Sequence, residues 1–334
     1  MDIRALDLLD RSTLADAYSV ECEATRHARP GWVPLVEAAR IAAWQADNGW
    51  DLHLVGAFEG EGLIGFASSS TARHTPDTSW VNVSVLPQRQ LRGVGTQLVQ
   101  AAEEKSPQRG SRFVASAYRS TEAEIRTLVR GFAQPLGYAW ATTETVVELD
   151  LVGAHLPSVP PPAGYTVSTY VNGVPDHLRT QIGVLKGLVD AEAPNGELKW
   201  QPTPVSAQEY QDELSLWQKQ GRTAIESIAL DNRGVVAAWT CLVLAANRDR
   251  PAQVEGTLVL AEHRGQRLGA TVKVASLLAA REHGAPFRVR TSSDDQNAWM
   301  RAINDELGFV PIESEILLHK QRQDRPPERS PAAR

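Results

Sequence analysis

Val83-Ser84-Val85-Leu86-Pro87-Gln88-Arg89-Gln90-Leu91-Arg92-Gly93-Val94-Gly95-Thr96-Gln97-Leu98 runs from an apolar strand through a glycine-bearing turn into a helix. A second stretch, Thr257-Leu258-Val259-Leu260-Ala261-Glu262-His263-Arg264-Gly265-Gln266-Arg267-Leu268-Gly269-Ala270, repeats it, with Gly269 standing 174 positions after Gly95. An offset of about half the chain means duplication. In such a turn glycines let main-chain N–H groups converge on one point, and the following helix adds its positive N-terminal end, so the turn is an anion cradle. Arg89 and Arg92 beside the first copy, and Arg264 and Arg267 beside the second, suit a ligand with several phosphates. The plain alternative is a strand-to-helix turn that holds nothing, but two copies in the same context favour the cradle.

Gln90-Leu91-Arg92-Gly93-Val94-Gly95 resembles the Gln/Arg-x-x-Gly-x-Gly/Ala signature of the GNAT superfamily of acyl-CoA N-acyltransferases, whose loop amides hold the pyrophosphate of coenzyme A. No third glycine makes it a Rossmann fingerprint, and no Gly-Lys-Ser/Thr makes it a P-loop. The second copy departs from the pattern, with Arg267 where the middle glycine stands. The resemblance implies acetyl-CoA or another acyl-CoA as co-substrate. It assigns CoA contacts to Val83, Val85, Gln90, Leu91, Arg92, Gly93, Val94, Gly95 and Thr96. In the second copy the corresponding contacts are Leu258, Val259, Arg264, Gly265, Gln266, Arg267, Leu268, Gly269 and Ala270.

A chain of 334 residues is long enough for two domains with separate cores. A net charge of −6 and a pI near 5.8 argue against a general nucleic-acid binder. Cys22 and Cys241 lie in different halves and make no metal or disulfide spacing, which fits a reducing cytoplasm. The charged first 20 residues are unlike a signal peptide, and no run of 18 apolar residues offers a membrane span. The expectation is a cytoplasmic protein, monomer or homodimer, without metal, nucleic-acid or membrane partners.

Read in order, the chain predicts helices over 14–27 (capped by Ser12-Thr13) and 35–48, a hairpin of 53–59 and 63–69, and a strand 80–85 into the first cradle. A helix 94–105, strand 113–118, helix 122–132 and strand 143–151 complete one unit. The run Val159-Pro160-Pro161-Pro162 stiffens a linker, so the boundaries are 1–151, linker 152–163, and 164–320, with a disordered tail 321–334. The second unit repeats the order: strand 165–170, helices 176–191 and 206–220, hairpin 224–231 and 235–244, strand 253–260, helix 268–283, strand 287–291, helix 296–306, strand 310–319. This is also the element order of the GNAT fold. The fold class is therefore α/β with a mixed sheet of α+β character, a duplicated acyl-CoA N-acyltransferase fold, its units packed by their open edges.

Acyl transfer to an amine needs a base, because an alkyl amine with a pKa near 10.4 is protonated at neutral pH. Glu255, on the strand entering the second cradle, reads either as that base, as in many GNAT enzymes, or as a solvated strand-edge carboxylate; the matching position in the first unit is Val81. Asn297 resembles the family's asparagine that contacts the pantetheine arm. Asn304 and Ala133 stand where the family often has a tyrosine acid. Glu226, Glu255, Asp294 and Asp295 read as a lure for a cationic amine or as solvated carboxylates. Trp32, Trp44 and Trp50 read as packing surface or as part of an acceptor pocket, and His263 as satisfied or solvated. The eight histidines show no ligand spacing. The resemblance implies transfer of an acetyl group to a primary amine of a small molecule; a protein lysine as acceptor, or an acyl-CoA sensor without turnover, remain the alternatives.

Overall fold

The structure, a computed structural model, describes residues 1–29, 31–73, 75–107, 110–284 and 288–322. The expected tail from 323 on, and Phe287 at the start of an expected strand, lie outside them.

The first unit runs β1 (Asp2–Ala5), α1 (Arg11–Ala28), α2 (Glu37–Gln45), β2 (Trp50–Glu59), β3 (Gly62–Ala72), β4 (Thr78–Val85), α3 (Val94–Lys105), β5 (Arg112–Arg119), α4 (Glu122–Leu128) and β6 (Ala139–Asp150). The second runs β7 (Tyr165–Val171), α5 (Asp176–Glu192), α6 (Ala207–Lys219), β8 (Thr223–Asp231), β9 (Val236–Leu244), β10 (Ala252–Val259), α7 (Leu268–Glu282), β11 (Arg288–Asp294), α8 (Ala298–Glu306) and β12 (Val310–Gln321).

Local chemistry explains most boundaries. The carboxylate of Asp10, rather than Ser12-Thr13, caps α1, accepting from the Ser12 and Thr13 amides at 3.0 and 3.3 Å. Capping boxes of Thr121 with Glu124 and Ser206 with Glu209 start α4 and α6. Helix α4 stops being α-helical at Leu128 and continues as a π turn to Ala133. Gly137, at φ 85°, ends that segment in a conformation that costs a side chain energy. Strand β1 escapes a pattern search: four residues with little burial carry no alternation.

The two units meet edge to edge, with their last strands exchanged. All strands form one 12-stranded sheet in the order β1-β2-β3-β4-β5-β12-β6-β11-β10-β9-β8-β7. Each strand and the one six later occupy mirrored places, so the sheet has a pseudo-two-fold between β12 and β6. The last strand of each unit is exchanged: β12 pairs with β5, and β6 with β11, all antiparallel. At the seam Glu315 faces Glu144 and Ile316 faces Thr143.

The exchange is held by burial and by charge. Ile316 and Leu318 of β12 lie in the first unit's core with Leu98, Phe113 and Ile125, while Val147 and Leu149 of β6 lie in the second unit's core with Val289 and Leu277. Full burial of such side chains stabilises by about 1.5–3 kcal/mol each. On one face of the seam, Arg29 of the first unit pairs with Glu313 on β12, and Arg290 on β11 pairs with Glu148 on β6 at 2.7 Å. Helices α3, α4, α7 and α8 carry the opposite face.

Candidate acyl-CoA site and the cleft between the units

Both cradles adopt one backbone from different residues. In the first, Leu91 (φ 58°) and Gly93 (φ 80°) are left-handed; in the second, Gly265 (φ 78°) and Arg267 (φ 60°) are, at positions 174 later. Glycine stands at the second left-handed position in one copy and at the first in the other. The turn therefore survives the substitution of Arg267 for the middle glycine, at the strain cost of one non-glycine residue in that region per copy. Gln90 donates its amide Nε2–H to the Val85 carbonyl at 3.0 Å, and Arg264 donates Nε–H to the Val259 carbonyl at 3.1 Å, so the two side chains brace the same point.

Helices α3 and α7 begin without any side-chain cap, which leaves first-turn amides free for an anion. Gly95 and Gly269 serve packing: a Cβ at Gly95 would lie 3.2 Å from the Phe132 ring, and one at Gly269 3.2 Å from Ile303 Cδ1. Val94, Leu268 and Ala270 are buried beneath the turns, and Thr96 is half-buried. Of the flanking arginines, Arg89 pairs with Glu59 at 2.9 Å, Arg264 with Glu192 and Arg267 with Glu306. Arg92 and Gln266 are exposed, and Gln266 donates to the Tyr165 hydroxyl at 3.1 Å. His263 is buried, its Nδ1 bonded to the Tyr165 hydroxyl at 2.8 Å, while Nε2 has no partner among the described residues.

The strand leading into each cradle parts from its parallel neighbour. β4 and β5 pair only from Thr78 to Trp80 and β10 and β11 only at Ala252 and Gln253. Beyond those rungs, Val81–Val85 and Ala115–Arg119, and Val254–Val259 and Thr291–Asp294, present unpaired main-chain groups to each other, a slot that fits an extended amide-bearing arm such as pantetheine. Val83 and Val85 line up with Ala67 and Gly65 on β3, and Leu258 and Val259 with Trp239 and Ala238 on β9.

Here the halves begin to differ. β3 and β4 pair without a break, whereas β10 carries a bulge between Val254 and Gly256, and Glu255 is its extra residue. The Glu255 carboxylate accepts from Arg222 Nη2 at 2.9 Å; lost hydration raises its pKa and Arg222 opposes the rise. Asn297 spends its Oδ1 on the Met300 amide at 3.1 Å, capping α8. Asn304 is buried and accepts at 2.6 Å from the ammonium of Lys273, a residue that sequence reading passed over because it sits at an ordinary place in an amphipathic helix. Burial pushes Lys273 down to about 7. It lines a small recess with Val254, beside the bulge.

The four carboxylates expected to attract a cation are otherwise engaged. Glu226 is buried between the Tyr210 hydroxyl and Trp239 Nε1 (2.9 Å), Glu255 is tied to Arg222, and Asp294 and Asp295 accept from Thr142 and Thr145. Trp44 is core, edge-on to Phe66 at 5.7 Å, whereas Trp32 lines a cleft.

That cleft, about 200 Å³, lies between the units. Gln253 and Arg290, the last rung before β10 and β11 part, form one wall together with Thr291 and Ser292; Tyr118 of β5 and Glu315 of β12 form another; Arg29, Trp32 and Val33 from the α1–α2 loop close it, with Arg250 and Pro251. The equivalent place over the first unit is filled. Leu198, from the longer α5–α6 connection, is fully buried against Val114, Leu317 and Trp80, and Trp200 stacks on Trp80 at 6.1 Å. Gly196 there comes so close to Ala141 that a Cβ would meet its carbonyl oxygen at 2.1 Å.

A left-handed turn at an uncapped helix start, set at the end of a strand that leaves its parallel neighbour, is the α/β arrangement expected of an acyl-CoA site, and this chain has it twice. Residues 14–138 match the family described as the acetyltransferase (GNAT) family, and the chain as a whole has the fold of a tandem GNAT protein. It resembles a tandem GNAT protein from the clavulanic acid biosynthesis pathway, solved without acetyl-CoA, at 22% identity and TM-score 0.77 over 97% of this chain and 99% of that one. A GCN5-related N-acetyltransferase from Sphaerobacter thermophilus is similar at 17% and 0.64, over 96% and 95%. A glucosamine N-acetyltransferase region in a fungal multi-domain GH3 β-N-acetylglucosaminidase is similar at 14% and 0.62, over 95% of this chain and 38% of that one. Among curated proteins no sequence matches. No helix among the described residues is long and apolar enough to cross a membrane, and no group of three or more histidine, cysteine, aspartate or glutamate residues there is placed to hold a metal ion.

Proposed function

We propose that the protein transfers an acetyl group from acetyl-CoA to a primary amine of a small molecule, and that the second unit does the chemistry. The observation that carries this is the slot between β10 and β11: it ends at an uncapped cradle on one side and opens, at the Gln253–Arg290 rung, into the cleft between the units on the other. The co-substrate supplies an acyl carbon activated as a thioester. The chain supplies the rest. The turn amides of Arg264–Gly269 and the α7 N-terminus bind phosphate, and the β10 bulge turns main-chain groups out of the ladder beside the slot.

Glu255 takes the proton that the ammonium form of the acceptor must lose; its raised pKa makes it a stronger base than an ordinary carboxylate. The freed nitrogen lone pair forms the C–N bond as the C–S bond breaks, and CoA leaves as a thiolate that takes up the nitrogen's second proton. The first unit, with a regular β4, Val81 at the Glu255 position and its cleft filled by Leu198 and Trp200, binds CoA without turnover or serves as scaffold.

The test is to incubate the protein with acetyl-CoA and a broad amine panel while following free thiol and the destination of a labelled acetyl group. Thiol release with label on small amines is the expected result. Label on macromolecules alone would mean a protein-lysine acceptor, and tight CoA binding with no thiol release on any amine would mean a sensor.

A further inference from the structure

The cleft between the units has a charge pattern of its own. Three arginines line it: Arg29, Arg250 and Arg290. Two are neutralised within the protein, Arg29 by Glu313 and Arg290 by Glu148 at 2.7 Å, with Glu313 a second partner of Arg290 at 3.7 Å. Arg29 also lies 3.6 Å over the Tyr118 ring.

Arg250 is different: its guanidinium has no ion pair or side-chain hydrogen bond among the described residues, although it is half-buried. Burial lowers its pKa, and the like charges of Arg222, Arg40 and Arg290 lower it further, against the charge of Glu21. The remaining carboxylate in the wall, Glu315, is pushed up to about 7, chiefly by burial and partly by Glu144 across the seam, against hydrogen bonds from Tyr118 and Ser116 and the charge of Arg29. Near neutral pH it is therefore only partly ionised and offsets little of Arg250.

A half-buried guanidinium with five donors and no acceptor is a place for a carboxylate, which it can hold bidentately. A polycation, by contrast, meets repulsion from the unpaired charge of Arg250. We infer that the acceptor is an amino-acid-like molecule, its carboxylate held by Arg250 in the cleft between the units and its amine directed to the slot between β10 and β11. This rests on the acyl-transfer reading above and adds the substrate class. Trp32 in the wall gives the remainder of such a molecule an apolar surface.

The experiment uses matched pairs on the full chain: phenylalanine with phenethylamine, and ornithine with putrescine. Thiol release from acetyl-CoA gives kcat/KM for each, and calorimetric titration of each into protein saturated with CoA gives affinity without turnover. A carboxylate on Arg250 is expected to favour the amino acid over its decarboxylated partner by about 10–100-fold, mostly in KM, the range of a charge-assisted hydrogen bond. Arg250→Gln should bring that ratio close to one, Arg250→Lys should restore part of it, and neither should alter the KM for acetyl-CoA.

Equal or better use of phenethylamine and putrescine, or a ratio that survives Arg250→Gln, overturns the inference and leaves acyl transfer to amines standing. Absence of thiol release with every amine overturns the transfer reading instead. In that case a calorimetric preference for the amino acids that depends on Arg250 still supports the carboxylate site, and no preference rejects it. Thermal melting of each variant separates loss of the site from loss of the fold.

Discussion

The two units agree where CoA phosphates would lie and differ where an acceptor would. On the CoA side both copies close the same left-handed turn, with Leu91 and Gly93 in one and Gly265 and Arg267 in the other, and brace it through Gln90 or Arg264. On the other face nearly every element differs. The ion pair joining the two helices there is reversed in sign, Glu21 with Arg40 in the first unit and Lys186 with Glu213 at 2.6 Å in the second. The second unit has a bulge, a glutamate and an open cleft; the first has a regular strand, a valine and a plug. Backbone geometry for a phosphate can be reached by several sequences, so it tolerates drift. A site for one particular acceptor cannot be, and a duplicated chain is free to lose one copy.

The largest effect expected from breaking this contrast is at Glu255. Glu255→Gln is nearly isosteric and should lower kcat by about 10²–10⁴-fold with little change in the KM for acetyl-CoA. Because the carboxylate must be ionised to accept a proton, wild-type turnover should rise with pH through a value above the ordinary glutamate range. The defect of the variant should shrink at high pH, where amine arrives neutral. If kcat and its pH profile are unchanged while Gln90→Ala abolishes turnover, the active centre belongs to the first unit.

Opening the plug comes next. Leu198→Ala removes a fully buried side chain and should cost about 2–5 kcal/mol in denaturant unfolding. It should leave kcat within a few-fold, since it touches only the closed side; a large fall in kcat at retained fold would place chemistry in the first unit.

Lys273 offers a third comparison, because its counterpart 174 positions earlier is Val99, an apolar core residue. The folded-state pKa of Lys273 lies near 7, below the 10.5 of the free side chain. Between those values the unfolded chain holds a proton that the native protein lacks. Stability should therefore rise from pH 7 towards 10.5, and the full penalty applies below 7. Lys273→Val should flatten that slope and raise the melting temperature at pH 7. If turnover collapses as well, Lys273 acts on the leaving thiolate in place of the tyrosine whose position Asn304 occupies. A melting curve with the same pH dependence in both proteins would mean that the ammonium is not desolvated.

The smallest effect is in the turns. A non-glycine residue in the left-handed region is disfavoured by about 1–2 kcal/mol. Arg267→Gly should relieve part of this and gain up to about 1 kcal/mol, since the exposed pair with Glu306 contributes little. Gly93→Ala should lose a similar amount. Opposite signs in denaturant midpoints are the expected result; equal signs would mean that the two turns are not equivalent.

Much of this was readable in the chain. The glycine turns, their repeat and the order of helices and strands follow from glycine positions and local periodicity, whereas Glu255 as a base is what the family resemblance implies. The bulge at Glu255 was not readable, because it is a property of register against β9, which no single strand reveals. Arg250 was invisible for a similar reason: its neighbours Arg29, Tyr118, Arg290 and Glu315 come from separate segments, and only the exchanged sheet gathers them. The exchange itself has no local signature, since β6 and β12 alternate as any final strand would. Arg267 looked like a defect in the motif because sequence shows the lost glycine but not that Gly265 carries positive φ two residues earlier.

Strand exchange also sets a timetable. β6 leaves the ribosome well before β11 and β12, its only neighbours in the sheet, and synthesis at about 5–20 residues per second puts that delay at roughly 10–30 s. Through that interval the growing chain carries a strand whose two native neighbours have not yet been made, and with it apolar Val146, Val147 and Leu149. Such a strand invites pairing with another chain, and charge along it is a common defence. Glu144 and Glu148 sit on β6 in that position. In the finished molecule they accept hydrogen bonds from Ser292 and Arg290.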